Sequence, residues 1–303
     1  MALKCREEVV GKRFLSVSGC TKLKIDKIRE WGWRSGVIRA ASHRDNTNKD
    51  LQVLVEYDGV EWKRREWISV YGTSFKLFFV EQDLLWFQRE VPFSYDTLQE
   101  NSDNATSTSV VSWPVITFTS LISSVVLPSH LYPAECLVDR ELVFIDYDKL
   151  ETKPLQEIPI NKECLEARTA VKRWHEQQDG QKILLTTPSV LVGYRVEVYR
   201  SQGTTQWYTA VIIGYNETTR DLTVTDDTVL EEHNVDPTLV QMRLIGDGVV
   251  ESIMRGENVG ITPRRSRSTA VLQAQQHHHH HNNRQQQHLP ITAEFLMALV
   301  EFM

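Results

Sequence analysis

A seven-residue stretch occurs twice in altered form, and this repeat limits what the chain can fold into. Gly32-Trp33-Arg34-Ser35-Gly36-Val37-Ile38 returns as Gln206-Trp207-Tyr208-Thr209-Ala210-Val211-Ile212, and each copy leads into an alternating apolar run with an acidic end. In the first copy Leu51, Val53 and Val55 alternate up to Tyr57-Asp58-Gly59; in the second Leu222 and Val224 lead to Asp226-Asp227. Upstream, Gly11 with Phe14 to Val17 matches Gly193 with Val196 and Val198. Short period-two apolar runs separated by polar or Gly-containing turns read as half-buried strands. A small residue after the Trp, Gly36 or Ala210, lets a neighbouring backbone or ring come close in a tightly curved sheet. Strands this short, in modules of about 60 residues, predict small barrels, because closure removes edges that would otherwise pair with other chains. The chain is therefore expected to be mainly β with some α, and to carry two copies of one small β module.

At 303 residues, 41% hydrophobic and 24% charged, there is material for two domains of ordinary size. No run approaches the roughly 20 apolar residues of a membrane span, and the charged stretch Met1 to Val10 lacks an apolar signal core, so the cell interior is the expected compartment. Cys5, Cys20, Cys136 and Cys164 form no CxxC or CxxH pair, which predicts reduced, mostly buried thiols rather than a disulfide framework or a zinc site. The net charge of −6 hides an asymmetry. Residues 1–91 carry 17 Lys and Arg against 13 Asp and Glu, whereas residues 186–261 carry 5 against 11. The first module suits phosphate or an acidic partner, the second a basic one such as a histone tail.

The expected organisation is a first barrel over 7–91, a linker over 92–110, a middle β-plus-helix segment over 111–185, a second barrel over 186–261 and a tail over 262–303. Glu100 to Ser109 is polar without apolar periodicity and reads as a flexible loop. Trp113 to Phe118 and Leu142 to Ile145 read as extended. Asn161 can cap a helix, near 161–178, in which Cys164, Ala167, Val171 and Trp174 share one face and pack on a barrel. The tail opens with Arg264-Arg265-Ser266-Arg267 and continues through a Gln-rich tract holding His277 to His281, a low-complexity composition that predicts disorder, with no metal site expected. Its end, Leu289 to Met303, turns apolar, with Ile291, Phe295, Leu299 and Met303 four apart.

The repeated pattern resembles the Tudor and related SH3-like barrels of chromatin readers. More specifically, Val10-Gly11-Lys12-Arg13-Phe14, Trp33 to Ala40, Val55-Glu56-Tyr57-Asp58, Arg65-Glu66-Trp67, Trp113-Pro114, Gly193-Tyr194-Arg195-Val196, Asn234-Val235-Asp236-Pro237 and Arg255 to Thr262 resemble the N-terminal region of the Jumonji-domain 1 group of JmjC histone lysine demethylases. The resemblance covers about residues 7 to 267. It implies tandem Tudor-like and PWWP-like modules, nuclear localisation, a role in transcription regulation, and a histone tail or nucleosomal DNA as partner. Full-length members of that family use Fe(II) and 2-oxoglutarate to demethylate histone H3 lysines, through a zinc finger and a JmjC barrel that this sequence does not show. His43-Arg44-Asp45 with His130 mimics the His-x-Asp…His iron triad. It sits in the polar run Ser42 to Asp50, without an apolar wall to exclude water, so no catalytic residue and no cofactor are expected here.

Two kinds of binding residue follow. A methyl-lysine cage surrounds an ammonium group with aromatic faces and one acidic group. Candidates are Trp31, Trp33, Tyr57, Asp58 and Trp62 in the first module, and Trp207, Tyr208, Tyr215, Asp226 and Asp227 in the second. Read along the sequence, Arg34 stands where the second copy has Tyr208, and Thr225-Asp226 stands where the first has Tyr57-Asp58. For nucleic acid, Glu61-Trp62-Lys63-Arg64-Arg65-Glu66-Trp67 interleaves basic and aromatic residues, and Lys22, Lys24, Lys27 and Arg29 form a second cluster; Lys22, Lys24, Lys27, Lys63, Arg64 and Arg65 are the phosphate-contact candidates. The alternative is a scaffold that docks on a partner protein or on the family's catalytic domain.

Overall fold

The computed structural model describes residues 8–92, 108–123, 125–128, 131–152 and 162–257. It divides into two compact units, the first reaching Gln178 and including Thr238–Gln241, the second comprising Asp179–Pro237 and the chain from Met242 onward. Both are built on antiparallel sheets, as the alternating runs predict. The Gln- and His-rich tract, the Arg264 to Arg267 cluster, the apolar end, Cys5, Asn161 and His130 all lie outside the described residues.

The first unit begins with β1 (Arg13–Ser18), β2 (Arg34–Ala41), β3 (Gln52–Tyr57), β4 (Glu66–Ser69) and β5 (Phe75–Pro92). It continues with β6 (Thr108–Ser123), β7 (Tyr132–Cys136), β8 (Leu142–Ile145) and the short β9 (Leu150–Glu151). The sheet order is β4-β3-β2-β1-β5-β6-β7-β8, with β9 paired to β5. The expected linker is flanked by strand, because Val91 and Pro92 in β5 pair with Ser109 and Thr108 in β6. The polar residues Thr108 and Ser109 owe their extended form to that long partner rather than to any pattern of their own.

β1 and β5 send apolar side chains to both faces. Phe14, Phe78 and Val80 enter one core with Ile38, Val53, Val55, Tyr57 and Val70. Leu15, Val17, Leu77 and Phe79 enter a second core with Trp31, Trp86, Ile116, Phe118 and Val171. Each such side chain removed from water contributes about 1.5–3 kcal/mol, which secures a long, two-faced β5 that a one-sided barrel would not need. Helix α1 (Lys162–Thr186) packs on the second of these cores through Val171 and Trp174, the stripe that its spacing predicts. Its Trp174 indole and Gln178 amide both donate to the buried carboxylate of Glu81, whose other oxygen accepts from the Arg13 backbone N–H at 3.0 Å. The helix runs past the expected end near 178. Gly180 reads as a stop, but in the second unit an added Cβ there would meet Val250 Cγ2 at 3.3 Å, so close helix packing explains the glycine.

The second unit holds β10 (Arg195–Tyr199), β11 (Trp207–Tyr215), β12 (Leu222–Asp226), β13 (Glu232–Val235), β14 (Met242–Leu244) and α2 (Val249–Met254). Its order, β13-β12-β11-β10-β14, reproduces β4-β3-β2-β1-β5. The correspondence reaches single hydrogen bonds. Gly11 and Gly193 both adopt positive φ, at 85° and 98°, and each donates its N–H to the isoleucine of the next strand, Ile38 or Ile212, at 2.7 Å. Those isoleucines donate back to Lys12 and Tyr194 at 2.9 Å. Register irregularities follow at Ile38/Ala40 and at Ile212/Gly214. The repeat in the sequence is therefore a repeat in the fold.

Candidate ligand-binding surfaces

Strand pairing corrects the alignment read from the sequence by one residue. Gly36 faces Tyr57, and Ala210 faces Asp226, so Tyr57 corresponds to Asp226 and Asp58 to Asp227. The ion pairs agree. Arg13, at the start of β1, holds Asp58 at 2.5 and 2.8 Å, and Arg195, at the start of β10, holds Asp227. The acidic end common to both copies thus ties its own hairpin to the first strand, and each carboxylate has an arginine partner.

In the first unit the aromatic candidates separate. Trp31 is 2% exposed, bonds the Lys24 carbonyl through its indole N–H at 2.9 Å and stacks on Trp33 with centroids 5.9 Å apart. Trp33 bonds the Ile28 carbonyl at 2.8 Å and meets Phe79 and Phe144. Both belong to the core shared with β5. Tyr57 lies in the other core, edge-on to Phe14, and its outer face is covered by Arg34, whose guanidinium lies 3.4 Å from the ring centroid. Burial pushes the Tyr57 phenol up to about 12. Asp58 accepts from Arg13 and from the Ser35 hydroxyl at 2.7 Å; burial works against its charge, but these two donors hold it below the usual carboxylate range. Trp62 pairs with Arg65, whose guanidinium is 5.0 Å from the ring. These five residues do not surround one space.

The second unit brings its candidates closer together. Tyr208 on β11 has its face toward the Arg200 guanidinium, 4.8 Å from the ring centroid, and its edge toward His233, 6.1 Å away. The same guanidinium reaches the Asp226 carboxylate at 3.1 Å. The Asp226 side chain is 1% exposed, and its other oxygen accepts from the Thr228 N–H at 2.7 Å. Burial and then the Asp226 charge raise the Tyr208 phenol above its ordinary value, against the opposing Arg200. Trp207 is covered similarly, with Arg243 4.1 Å over its ring and Tyr199 edge-on at 5.0 Å. Tyr215 stands at the other end of β11, opposite Leu222, outside this group. Asp227 is taken by Arg195. Arg200, Arg243 and His233 were not among the sequence candidates, since nothing in their local pattern marks them; each is placed by strand pairing or by the hairpin end.

The basic candidates fall on two connections of the first unit. Lys22, Lys24 and Lys27 are exposed on the β1–β2 connection, where Lys27 pairs with Glu30 at 2.9 Å. Lys63 and Arg64 are exposed on a single 3-10 turn ahead of β4, beside the 45% exposed Trp67. Arg65 is half-buried over Trp62. A groove of about 490 Å³ along α1, bordered by Leu165, Arg173 and the Leu137–Arg140 turn, contains none of these residues.

The His43-Arg44-Asp45 run occupies the exposed β2–β3 connection. The Asp45 carboxylate accepts from the Thr47 N–H at 2.9 Å and hydroxyl at 2.6 Å, which hold it below its usual range. An exposed carboxylate already committed to a local turn does not fit an iron centre that must keep positions open for 2-oxoglutarate and oxygen. No group of three or more His, Cys, Asp or Glu residues among those described could hold a metal. Of the described cysteines, Cys136 is buried, with its thiol pushed up to about 11 by burial, Cys164 is intermediate and Cys20 is exposed, so burial is less general than the sequence suggests.

Three family models match the chain. Residues 183–258 match the tudor domain of lysine-specific demethylase 3B, residues 78–181 match the PWWP domain of lysine-specific demethylase 3B, and residues 8–67 match a domain of unknown function, DUF7030. The region matching the domain of unknown function holds β1 to β3 and the start of β4, whose pairing and hydrogen bonds repeat those of β10 to β13 in the tudor region, while β5 falls mostly in the PWWP match. Human probable JmjC domain-containing histone demethylation protein 2C is 40% identical over 273 residues, covering 88% of this chain and 10% of that protein. Human lysine-specific demethylase 3A is 31% identical over 269 residues, 85% of this chain and 19% of the relative, and the mouse protein of that name is 32% identical over 253 residues, 80% and 18%. The chain thus spans no more than a fifth of the length of these relatives, and the matched part includes a tudor and a PWWP domain. Over one region, then, this chain is a homologue of JmjC domain-containing histone demethylation protein 2C and lysine-specific demethylase 3A.

Proposed function

We propose that this chain is a non-catalytic chromatin-docking part of a nuclear histone demethylase system, contributing to transcription regulation by holding a histone tail, nucleosomal DNA or both. The modules in this proposal are a barrel over 7–91, a middle β-plus-helix segment over 111–185 and a barrel over 186–261. The observation that carries the histone reading is the convergence of Tyr208 and Asp226 on the Arg200 guanidinium. A ring face and a carboxylate 1% exposed converge there on one cation, and such a pairing is worth about 0.5–2 kcal/mol or more when desolvated. The acidic balance of residues 186–261 favours the same kind of ligand. The exposed Lys22, Lys24, Lys63 and Arg64 favour phosphate contact by the first unit.

The two contacts separate by salt. Lys63→Glu with Arg64→Glu should weaken binding to duplex DNA or nucleosomes about tenfold or more at low salt and flatten the salt dependence, because fewer counterions are released. Tyr208→Ala should instead abolish binding of a trimethyl-lysine histone peptide and leave the salt slope for DNA unchanged. If both variants fold and bind nucleosomes like the parent, the docking is to a protein partner or to the family's catalytic domain. With Fe(II) and 2-oxoglutarate supplied, the purified chain should form no succinate above a His43→Ala control; an excess would overturn the non-catalytic reading.

A further inference from the structure

We propose that Arg200 is a built-in competitor, an intrinsic cation seated between Tyr208 and Asp226, whose place an external cationic side chain takes only by displacing it. This rests on the histone-tail reading above and adds the regulation of that same site. Four observations lead to it. The guanidinium occupies the position a ligand cation would take, 4.8 Å from the Tyr208 centroid and 3.1 Å from Asp226. Its hydrogen bonding is sparse, since one nitrogen bonds Asp226 and the buried Nε finds no acceptor. A guanidinium engaged through one of its five N–H donors forgoes the bidentate geometry that makes Arg–carboxylate pairs strong, the geometry Arg13 attains on Asp58. The Arg200 side chain is 41% exposed, so it has a route to solvent.

Asp226 supplies the reason an exchange is favoured over simple departure. One of its oxygens is anchored by the Thr228 N–H, and the other faces Arg200. If Arg200 swung out alone, a carboxylate oxygen would be left buried and unpaired, which is costly. A second cation entering as Arg200 leaves removes that cost. Arg200 also lies at the start of the exposed hairpin turn of residues 201–206, where Gly203 holds φ at 104° and an added Cβ would meet Arg200 Cδ at 3.3 Å. The turn therefore packs on the aliphatic stem of Arg200, and stem and turn are placed to move together. Affinity for an outside ligand is reduced by the fraction of molecules in which Arg200 is seated.

The test uses the full chain and tetramethylammonium as the probe, read through the Tyr208 ring resonances by NMR. In Arg200→Gln the ring should respond at a concentration about tenfold lower than in the parent. Arg200→Lys, which keeps a cation but loses the planar stacking group, should fall between them; it serves as the test variant if Arg200→Gln melts too early to titrate. An equal or weaker response in both variants overturns the proposal. Trimethyl-lysine histone peptides then separate it from the reading it rests on. If tetramethylammonium takes the place of Arg200 beside Tyr208 but no tail peptide binds parent or variant, Arg200 is the competitor and the tail reading falls. If the parent binds a tail peptide through Tyr208 and Arg200→Gln binds it no more tightly, the tail reading stands and the competitor falls.

Discussion

Arg13→Ala should destabilise the first unit by about 3 kcal/mol, the low end for breaking a buried ion pair, because Glu135 keeps only the half-exposed Arg140, 3.6 Å away. Arg13 bonds the Glu135 carboxylate through Nε at 2.9 Å and through Nη2, and the Glu135 side chain is 1% exposed. Asp58 would lose the same partner, but at 45% exposure it is solvated in place and contributes little. Burial raises the Glu135 carboxyl above its ordinary value, with Arg13 first and then Arg140 opposing the rise. A carboxyl raised in the fold binds its proton more readily there than in the open chain, so stability falls as pH rises through that window. Removing Arg13 extends the window upward. The loss in Arg13→Ala should therefore be full near neutral pH and shrink as the solution is acidified, and Arg13→Ala with Glu135→Gln should recover part of it at neutral pH. Urea melts followed by tryptophan fluorescence suit the measurement, because every tryptophan but Trp207 lies in the first unit. A loss under about 1 kcal/mol, or one indifferent to pH, would show that the Arg13–Glu135 pair does not hold these strands.

That pair also marks where the sequence stops being informative. Arg13 and Glu135 are 122 residues apart, and no local pattern couples them. What a local pattern can carry, it carried: Trp33 and Trp207 announce β2 and β11, the alternation of Leu51, Val53 and Val55 announces β3, and the stripe through Val171 and Trp174 places α1 against a core. β5 escaped because it has no alternation to read. Leu77 and Phe79 face one core and Phe78 and Val80 the other, so its pattern is a continuous apolar run. The one-residue slip between Tyr57-Asp58 and Asp226-Asp227 has a related cause. Aligning acidic residues by type matched Asp58 to Asp226, whereas backbone pairing matches the two aspartates that bind Arg13 and Arg195. The cage candidates failed to assemble in the first unit for a physical reason as well: in a module this small, rings such as Trp31 and Trp33 are needed as core, and the cations that cover Tyr57, Tyr208 and Trp207 come from their own chain.

Gly36→Val should cost the first unit at least about 1–3 kcal/mol, the range for overpacking a tight site, and more if β3 must shift. A Cβ at Gly36 would lie 2.2 Å from the Glu56 carbonyl oxygen, 2.9 Å from Tyr57 Cα and 2.9 Å from the Phe14 ring. Two of those atoms are backbone of the paired strand, so relief requires opening the β2–β3 ladder where Gly36 faces Tyr57. The second copy shows how the same position can carry a methyl group. Ala210 is fully buried there, but it faces Val196 and Asp226 where Gly36 faces Phe14 and Tyr57. Size has been exchanged across the pair: glycine with two rings, alanine with two smaller side chains. Gly36→Ala should accordingly be less harmful in a Phe14→Val background than the two single losses imply, though not harmless, because the clash with the Glu56 carbonyl remains. Strict additivity in that cycle would mean that Phe14 and Gly36 are not coupled through the Cβ contact. A Gly36→Val chain as stable as its parent would mean that the close approach of β2 and β3 is not what keeps this position small.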